Sequence, residues 1–170
     1  MNAGAERLTL AMRLFTPRRA QLDEGARLVF VCTGNICRSP YAEFIARNHG
    51  LNAISAGVNT HNGLPANDAA IAEASRRGVD MRSHRTTRWQ DVPLHSGDLI
   101  LALELRHALA TRERAAQHQC RVVLMSYFLQ PRFAFISDPY GKTQREFAVA
   151  FDLIETAVGN LAARLRQRAV

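Results

Sequence analysis

Cys32 and Arg38 enclose a short run, Cys32-Thr33-Gly34-Asn35-Ile36-Cys37-Arg38-Ser39, in which nearly every residue type suits the capture and attack of a phosphate ester. A phosphate dianion needs donors on several sides. A loop that feeds a helix supplies them as backbone N–H groups, together with the positive end of the helix dipole. Gly34 and Asn35 tolerate left-handed backbone, which lets successive N–H groups turn inward. Arg38 offers a planar fork able to hold two phosphate oxygens at once. The same positive field favours the thiolate of Cys32, the nucleophilic form, over its thiol. Ser39 is placed to hydrogen-bond that thiolate and help it leave. In an Arg-rich chain, a Cys and an Arg at this spacing arise readily by chance. The signal lies in the conjunction of a strand before the run, Gly and Asn inside it, and Ser39-Pro40 opening a helix after it.

Attack on phosphorus also needs an acid for the departing oxygen, and Asp138, ahead of Pro139-Tyr140, is the candidate. Taken alone, an Asp-Pro pair reads more simply as a turn. Tyr140 is either an aromatic wall for a ring-bearing substrate or a buried packing residue.

The elements that must hold these residues follow an alternating pattern. Residues 27–31 (Arg-Leu-Val-Phe-Val) form a short apolar run expected of a buried parallel strand, which delivers Cys32 at its carboxyl end. Residues 39–49 read as a helix with Pro40 in its first turn and Gly50 after its end. Residues 53–56 give a second strand and 68–77 a second helix stopped at Gly78. Residues 98–103 give a third strand, 104–117 a charged amphipathic helix, and 121–125 a fourth strand. Residues 143–168 carry Phe147, Phe151, Ile154, Val158 and Leu161 at helical spacing and end in a basic turn suited to the dipole. The expectation is a single α/β domain, a four-stranded parallel sheet with helices on both faces, whose ligands bind beyond the carboxyl ends of the strands.

Bulk properties exclude several classes. The 170 residues suit one core, here residues 26–170, preceded by an extension over residues 1–25. Hydrophobic content of 47% with 22% charge is that of an ordinary soluble protein, and no apolar run is long enough to span a membrane. The apolar stretch at 8–15 is short, broken by Arg13, and followed by Pro17-Arg18-Arg19 with no small-residue cleavage site, so it reads poorly as a signal peptide. Three cysteines, an odd count, argue against a disulfide scaffold and for a reducing, cytoplasmic setting. The net charge of +7 comes from arginines scattered along the chain, with no basic run interleaved with aromatics, so no nucleic-acid partner is expected.

At these residues the chain resembles the low-molecular-weight protein tyrosine phosphatases, whose hallmark is the run seen here from Val31 to Pro40. The resemblance continues through Ala42-Glu43, Ser55-Ala56-Gly57, Gly63, Pro65-Ala66, Gly78-Val79-Asp80, His84-Arg85, residues 98–101 and Asp138-Pro139-Tyr140. With Lys142 and a helix containing Phe147 following, it most resembles bacterial members that act on tyrosine kinases of capsule and exopolysaccharide export. The resemblance implies a two-step reaction through a cysteinyl-phosphate with no metal and no other cofactor. Cys32 would attack, Arg38 would clamp the phosphate, and Asp138 would protonate the leaving phenolate and then activate water. Thr33, Gly34, Asn35, Ile36, Cys37, Ser39, Tyr140 and His61 would surround the substrate. Asn35, Ser39, Ser55 and His84 would form a network holding the loop, with His84 structural. Cys37 would be either the oxidation partner of Cys32 or a small core residue. The partner would be a phosphotyrosine protein such as a bacterial tyrosine kinase, met by a monomer or weak dimer.

Several departures and rivals bear on this. The loop after Gly57 offers Val58, Asn59, Thr60 and His61 where relatives place a large apolar wall, and Leu103-Glu104 are expected to affect packing only. Thioredoxin-coupled arsenate reduction would need relay cysteines near residues 80–89, where none occurs, and Cys120 is poorly placed to serve. Arginine phosphatases carry Thr where Ile36 stands. A non-catalytic phosphate-binding module would have no need of both Cys32 and Asp138.

Overall fold

A computed structural model of the chain describes residue 15, residues 25–130 and residues 135–167. Four apolar runs become strands β1 (Leu28–Cys32), β2 (Ala53–Gly57), β3 (Leu99–Ala102) and β4 (Arg121–Leu124), all parallel and ordered β2-β1-β3-β4. The helices are α1 (Arg38–Asn48), α2 (Asp68–Arg76), α3 (Leu105–Gln117) and α4 (Gln144–Arg166). Every element lies within a residue or two of its expected place. The fold is the α/β arrangement anticipated, with a four-stranded parallel sheet. Of the expected extension, only Phe15 and Gly25 are among the described residues; the rest of the 8–15 stretch and of the 21–25 linker lie outside them.

β1 is buried at every position because both of its faces are covered, which is why it reads as a continuous apolar run rather than an alternating one. Leu28 and Phe30 face a core shared with Tyr41, Ala70 and Phe151, which brings α1, α2 and α4 to one side. Val29 and Val31 face Trp89, Val92 and Ala115, with α3 on that side. Tyr41 stacks on Phe151 at 3.7 Å between ring centroids, a contact worth about 1 kcal/mol beyond its buried area. Arg77 ties the end of α2 to α4 by reaching Glu73, Asp152 and Glu155.

Caps define the helix starts. Asn67 accepts from the backbone of Ala69 and Ala70 at the head of α2. Thr143 and Glu146 close a reciprocal capping box at the head of α4. Phe15 is buried against Ala102, Ala108 and Leu124, and its carbonyl accepts from Leu124 N of the edge strand β4.

Pairing register decides what meets at the sheet's carboxyl end. Val31 lies between Ala56 of β2 and Ala102 of β3, so Cys32 and Gly57 emerge side by side and Glu104 follows two residues beyond β3 on the other flank. The chain leaves β1 first toward β2 and later returns to its other flank as β3. That reversal opens a crevice beyond the strand ends, where the first loop lies.

Candidate active site

The loop after β1 curls over the side chain of Cys32. Cys32 Sγ lies 3.0 Å from Ser39 Oγ and accepts the backbone N–H of Asn35 at 3.3 Å. Asn35 takes the left-handed conformation, at φ 55°, that turns its N–H inward, whereas Gly34 does not. Cys37 caps the start of α1 without a side-chain hydrogen bond and lines the same pocket. Burial, then the neighbouring Cys32 and Asp138, push its thiol far up, so it stays protonated.

The loop is held by a buried polar network. Asn35 Nδ2 donates to Ser39 Oγ at 2.9 Å and to Ser55 Oγ at 2.8 Å, and its Oδ1 accepts from Thr87 N at 2.9 Å. His84 Nε2 donates to the carbonyl of Asn35 at 2.8 Å. Ser55 in turn donates to Glu43 at 2.6 Å, a member that reading the sequence did not single out. Gly57 allows all of this to close up: a Cβ there would stand 2.8 Å from the carbonyl oxygen of Thr33 and 3.0 Å from the backbone of Gly34. Any side chain would push the loop away from β2.

Arg38 is fully buried and paired with two carboxylates, Glu104 at the head of α3 and Asp138 from the far side of the pocket. Its Nη1 also donates to the carbonyl of Ile136 at 2.9 Å, and its Nε is buried without a hydrogen-bond partner, a donor suited to a phosphate oxygen. Glu104 corrects the expectation of a packing role. Burial works against its charge, but Arg38 and Arg106 outweigh that and hold the carboxyl below its ordinary range. Glu104 therefore stays ionised and orients the guanidinium. No spacing rule announces it, because its partner belongs to another strand's loop.

A pocket of about 170 Å³ opens onto the sulfur, lined by Cys32, Thr33, Gly34, Ile36, Cys37 and Arg38 from the loop and by Asp138 and Tyr140 opposite. Tyr140 is 60% exposed and lines the pocket, so it is not a buried packing residue. His61 is exposed and lies outside that lining; its carbonyl accepts from Thr86 at 2.5 Å. Cys120 precedes β4, at the amino end of the sheet, and cannot relay electrons to Cys32 at the carboxyl end. Among the described residues no three His, Cys, Asp or Glu side chains converge as a metal site. No helix among them is long and apolar enough to cross a membrane.

Two buried histidines flank the loop and both are harder to protonate than in water. Burial lowers His84 despite its bond to Asn35, and burial, reinforced by Arg38 and Arg106 and opposed by Glu104, pushes His107 down to about 4. An unfolded His takes a proton near pH 6.5, so below that pH the unfolded state binds protons that the folded state refuses. Stability should therefore fall as pH drops from 6.5 toward 4, and the thermal midpoint should slope accordingly. His107→Gln should flatten that slope across pH 6.5 to 5, above the range in which the carboxylates titrate. An unchanged slope would show that His107 does not titrate in this way.

Comparison with known proteins agrees with this geometry. The family model described as low molecular weight phosphotyrosine protein phosphatase matches residues 27–170. The chain is 34% identical over 148 residues to the low molecular weight protein-tyrosine-phosphatase Etp of Escherichia coli, covering 86% of this chain and 98% of that protein. Its fold is similar to that of Vibrio vulnificus Wzb in complex with benzylphosphonate, with a TM-score of 0.70 and 29% identity over 81% of this chain and 97% of the other. It is also similar to the YwlE arginine phosphatase from Geobacillus stearothermophilus, with a TM-score of 0.69 and 27% identity over 84% of this chain and 94% of the other. A cysteine loop closed by an arginine, carried on a matching sheet and matched over nearly the whole described chain, places the protein in the low molecular weight phosphotyrosine protein phosphatase family.

Proposed function

We propose that Cys32, Arg38 and Asp138 carry the phosphatase reaction, and that the substrate is a phosphotyrosine side chain. The observation that supports this best is the convergence of the three on one small pocket. The sulfur is met by Ser39 and Asn35, while Asp138 is held against the buried guanidinium of Arg38.

The phosphate dianion enters beside Arg38 and displaces Asp138 from the guanidinium, gaining that fork, the unpartnered Nε and the backbone N–H groups of the loop. Glu104 keeps Arg38 aimed throughout. Freed from the guanidinium, Asp138 takes a proton from solvent; the thiolate of Cys32 then attacks phosphorus, an S–P bond forms, the P–O bond to the phenol breaks, and Asp138 gives that proton to the departing oxygen. In the second step Asp138, now a carboxylate, takes a proton from water as that water attacks phosphorus. The S–P bond breaks, inorganic phosphate leaves, and Ser39 receives the returning thiolate.

Ile36 and Tyr140 border the pocket with an apolar edge and an aromatic face, which suit a flat ring better than a guanidinium. A phosphotyrosine peptide should be hydrolysed at least about tenfold faster, by kcat/KM, than a phosphoarginine peptide of the same sequence, a difference of about 1.4 kcal/mol. Equal or reversed rates would overturn the substrate assignment. Three unpaired thiols support a cytoplasmic setting, and the Asp138-Pro139-Tyr140 turn followed by Lys142 supports a bacterial tyrosine kinase of polysaccharide export as the phosphoprotein.

A further inference from the structure

The first turn of α3 reaches both ends of the phosphate loop. Glu104 meets Arg38 at the loop's end, and His107, three residues on and so on the same helix face, meets its beginning. His107 is fully buried, and its Nε2 lies 2.9 Å from Thr33 Oγ1, the side chain next to the nucleophile. Its Nδ1 is buried with no hydrogen-bond partner. The reaction described above makes no use of this ring.

Burial keeps the imidazole neutral, so it carries one N–H, and the two tautomers have different consequences. With the proton on Nδ1, a buried donor is orphaned and the Thr33 hydroxyl must give its own hydrogen to Nε2. With the proton on Nε2, the ring donates to Thr33 and leaves only a lone pair unmet at Nδ1. Buried N–H groups without a partner are the rarer fault in folded proteins, which favours the second arrangement. In it Thr33 Oγ1 accepts, and its hydroxyl hydrogen is free. Thr33 is half-buried and lines the pocket, and its backbone is fixed by Asn59 N, which donates to the Thr33 carbonyl at 2.9 Å.

We propose that His107 is a positioning residue that donates to Thr33, so that the Thr33 hydroxyl becomes an additional donor to the phosphoryl oxygens of the bound substrate. The inference rests on the phosphatase reading for its catalytic consequence, but its binding consequence holds for any phosphate seated in the loop.

The test compares wild type with Thr33→Val, Thr33→Ser, His107→Leu, His107→Gln and the double variant Thr33→Val/His107→Leu. Two readouts are taken: kcat and KM on a phosphotyrosine peptide, and the affinity for inorganic phosphate, measured as protection of Cys32 from iodoacetate. Thr33→Val and His107→Leu should each lower kcat/KM and phosphate affinity roughly tenfold, the loss expected for one hydrogen bond to a charged group. The double variant should be no worse than the poorer single, because the two residues act as one unit. Thr33→Ser and His107→Gln, which keep a hydroxyl and an N–H at the needed places, should recover most of the loss. A purely structural role would lower the thermal midpoint without this pattern. Thr33→Val within about twofold of wild type on both readouts, or losses that multiply in the double variant, would overturn the proposal. Should His107→Leu fail to fold, Thr33→Val against Thr33→Ser and His107→Gln decides it. A wild type inactive on phosphotyrosine would refute the substrate reading, while the phosphate affinities would still judge the Thr33–His107 pair.

Discussion

Cys32→Ser should abolish turnover, with kcat on a phosphotyrosine peptide falling by at least about a thousandfold, while inorganic phosphate still binds. The expectation follows from the division of labour in the loop. Binding is the work of backbone N–H groups and Arg38, which the substitution leaves in place, whereas attack needs an anion that a serine hydroxyl does not provide at neutral pH. Cys37 cannot take over, because burial and its charged neighbours keep its thiol protonated. Alkylation adds a second view. One equivalent of iodoacetate should modify Cys32, inactivate the enzyme, and be slowed by phosphate, leaving Cys37 and Cys120, whose thiols burial pushes up, unmodified. Substantial turnover by Cys32→Ser would remove the cysteinyl-phosphate step.

Asp138→Asn should lower kcat on phosphotyrosine by roughly a hundred- to a thousandfold, the range expected when a general acid is lost. The loss should shrink for an aryl phosphate whose phenol leaves readily as an anion, since such a group needs no proton. The same variant should bind inorganic phosphate more tightly than wild type. In the free protein the Asp138 carboxylate occupies Arg38, so a phosphate must displace it; a neutral amide competes less and does not repel the dianion. Lower turnover with tighter product binding is a pairing that simple damage to the fold would not produce. Full activity on phosphotyrosine would take the acid role away from Asp138.

Much of the fold and part of the site could be read before any coordinates. The phosphate loop is legible because its chemistry is local. Strand, turn, left-handed Asn35 and helix start all lie within a dozen residues, and the donors are backbone groups whose direction follows from that sequence. The helices were legible from their period and punctuation, as in the Phe147–Leu161 repeat and at Pro40, Gly50 and Gly78. The resemblance to a known family joined Asn35, Ser39, Ser55 and His84 before their hydrogen bonds were visible. Asp138 was less clear, since an Asp before Pro is commonly a turn and its partner Arg38 is 100 positions away.

Glu104, His107 and Gly57 show where such reading stopped. Glu104 was expected only to pack, yet it fixes the guanidinium; His107 was passed over on an amphipathic helix, yet it touches the loop beside the nucleophile. Gly57 was noted only as part of the family run Ser55-Ala56-Gly57, while what requires a glycine there is the close approach of Thr33. His61, close in sequence to the pocket wall, lies outside the lining. By itself the sequence determined the class of fold and the loop between β1 and α1, because periodicity and short-range backbone geometry are properties of neighbouring residues. The tertiary structure alone decided which side chains complete the site. β1 and β3 are uninterrupted apolar runs whose alignment no pattern reveals, and it is their register, setting Val31 against Ala102, that brings Glu104 and His107 to the loop.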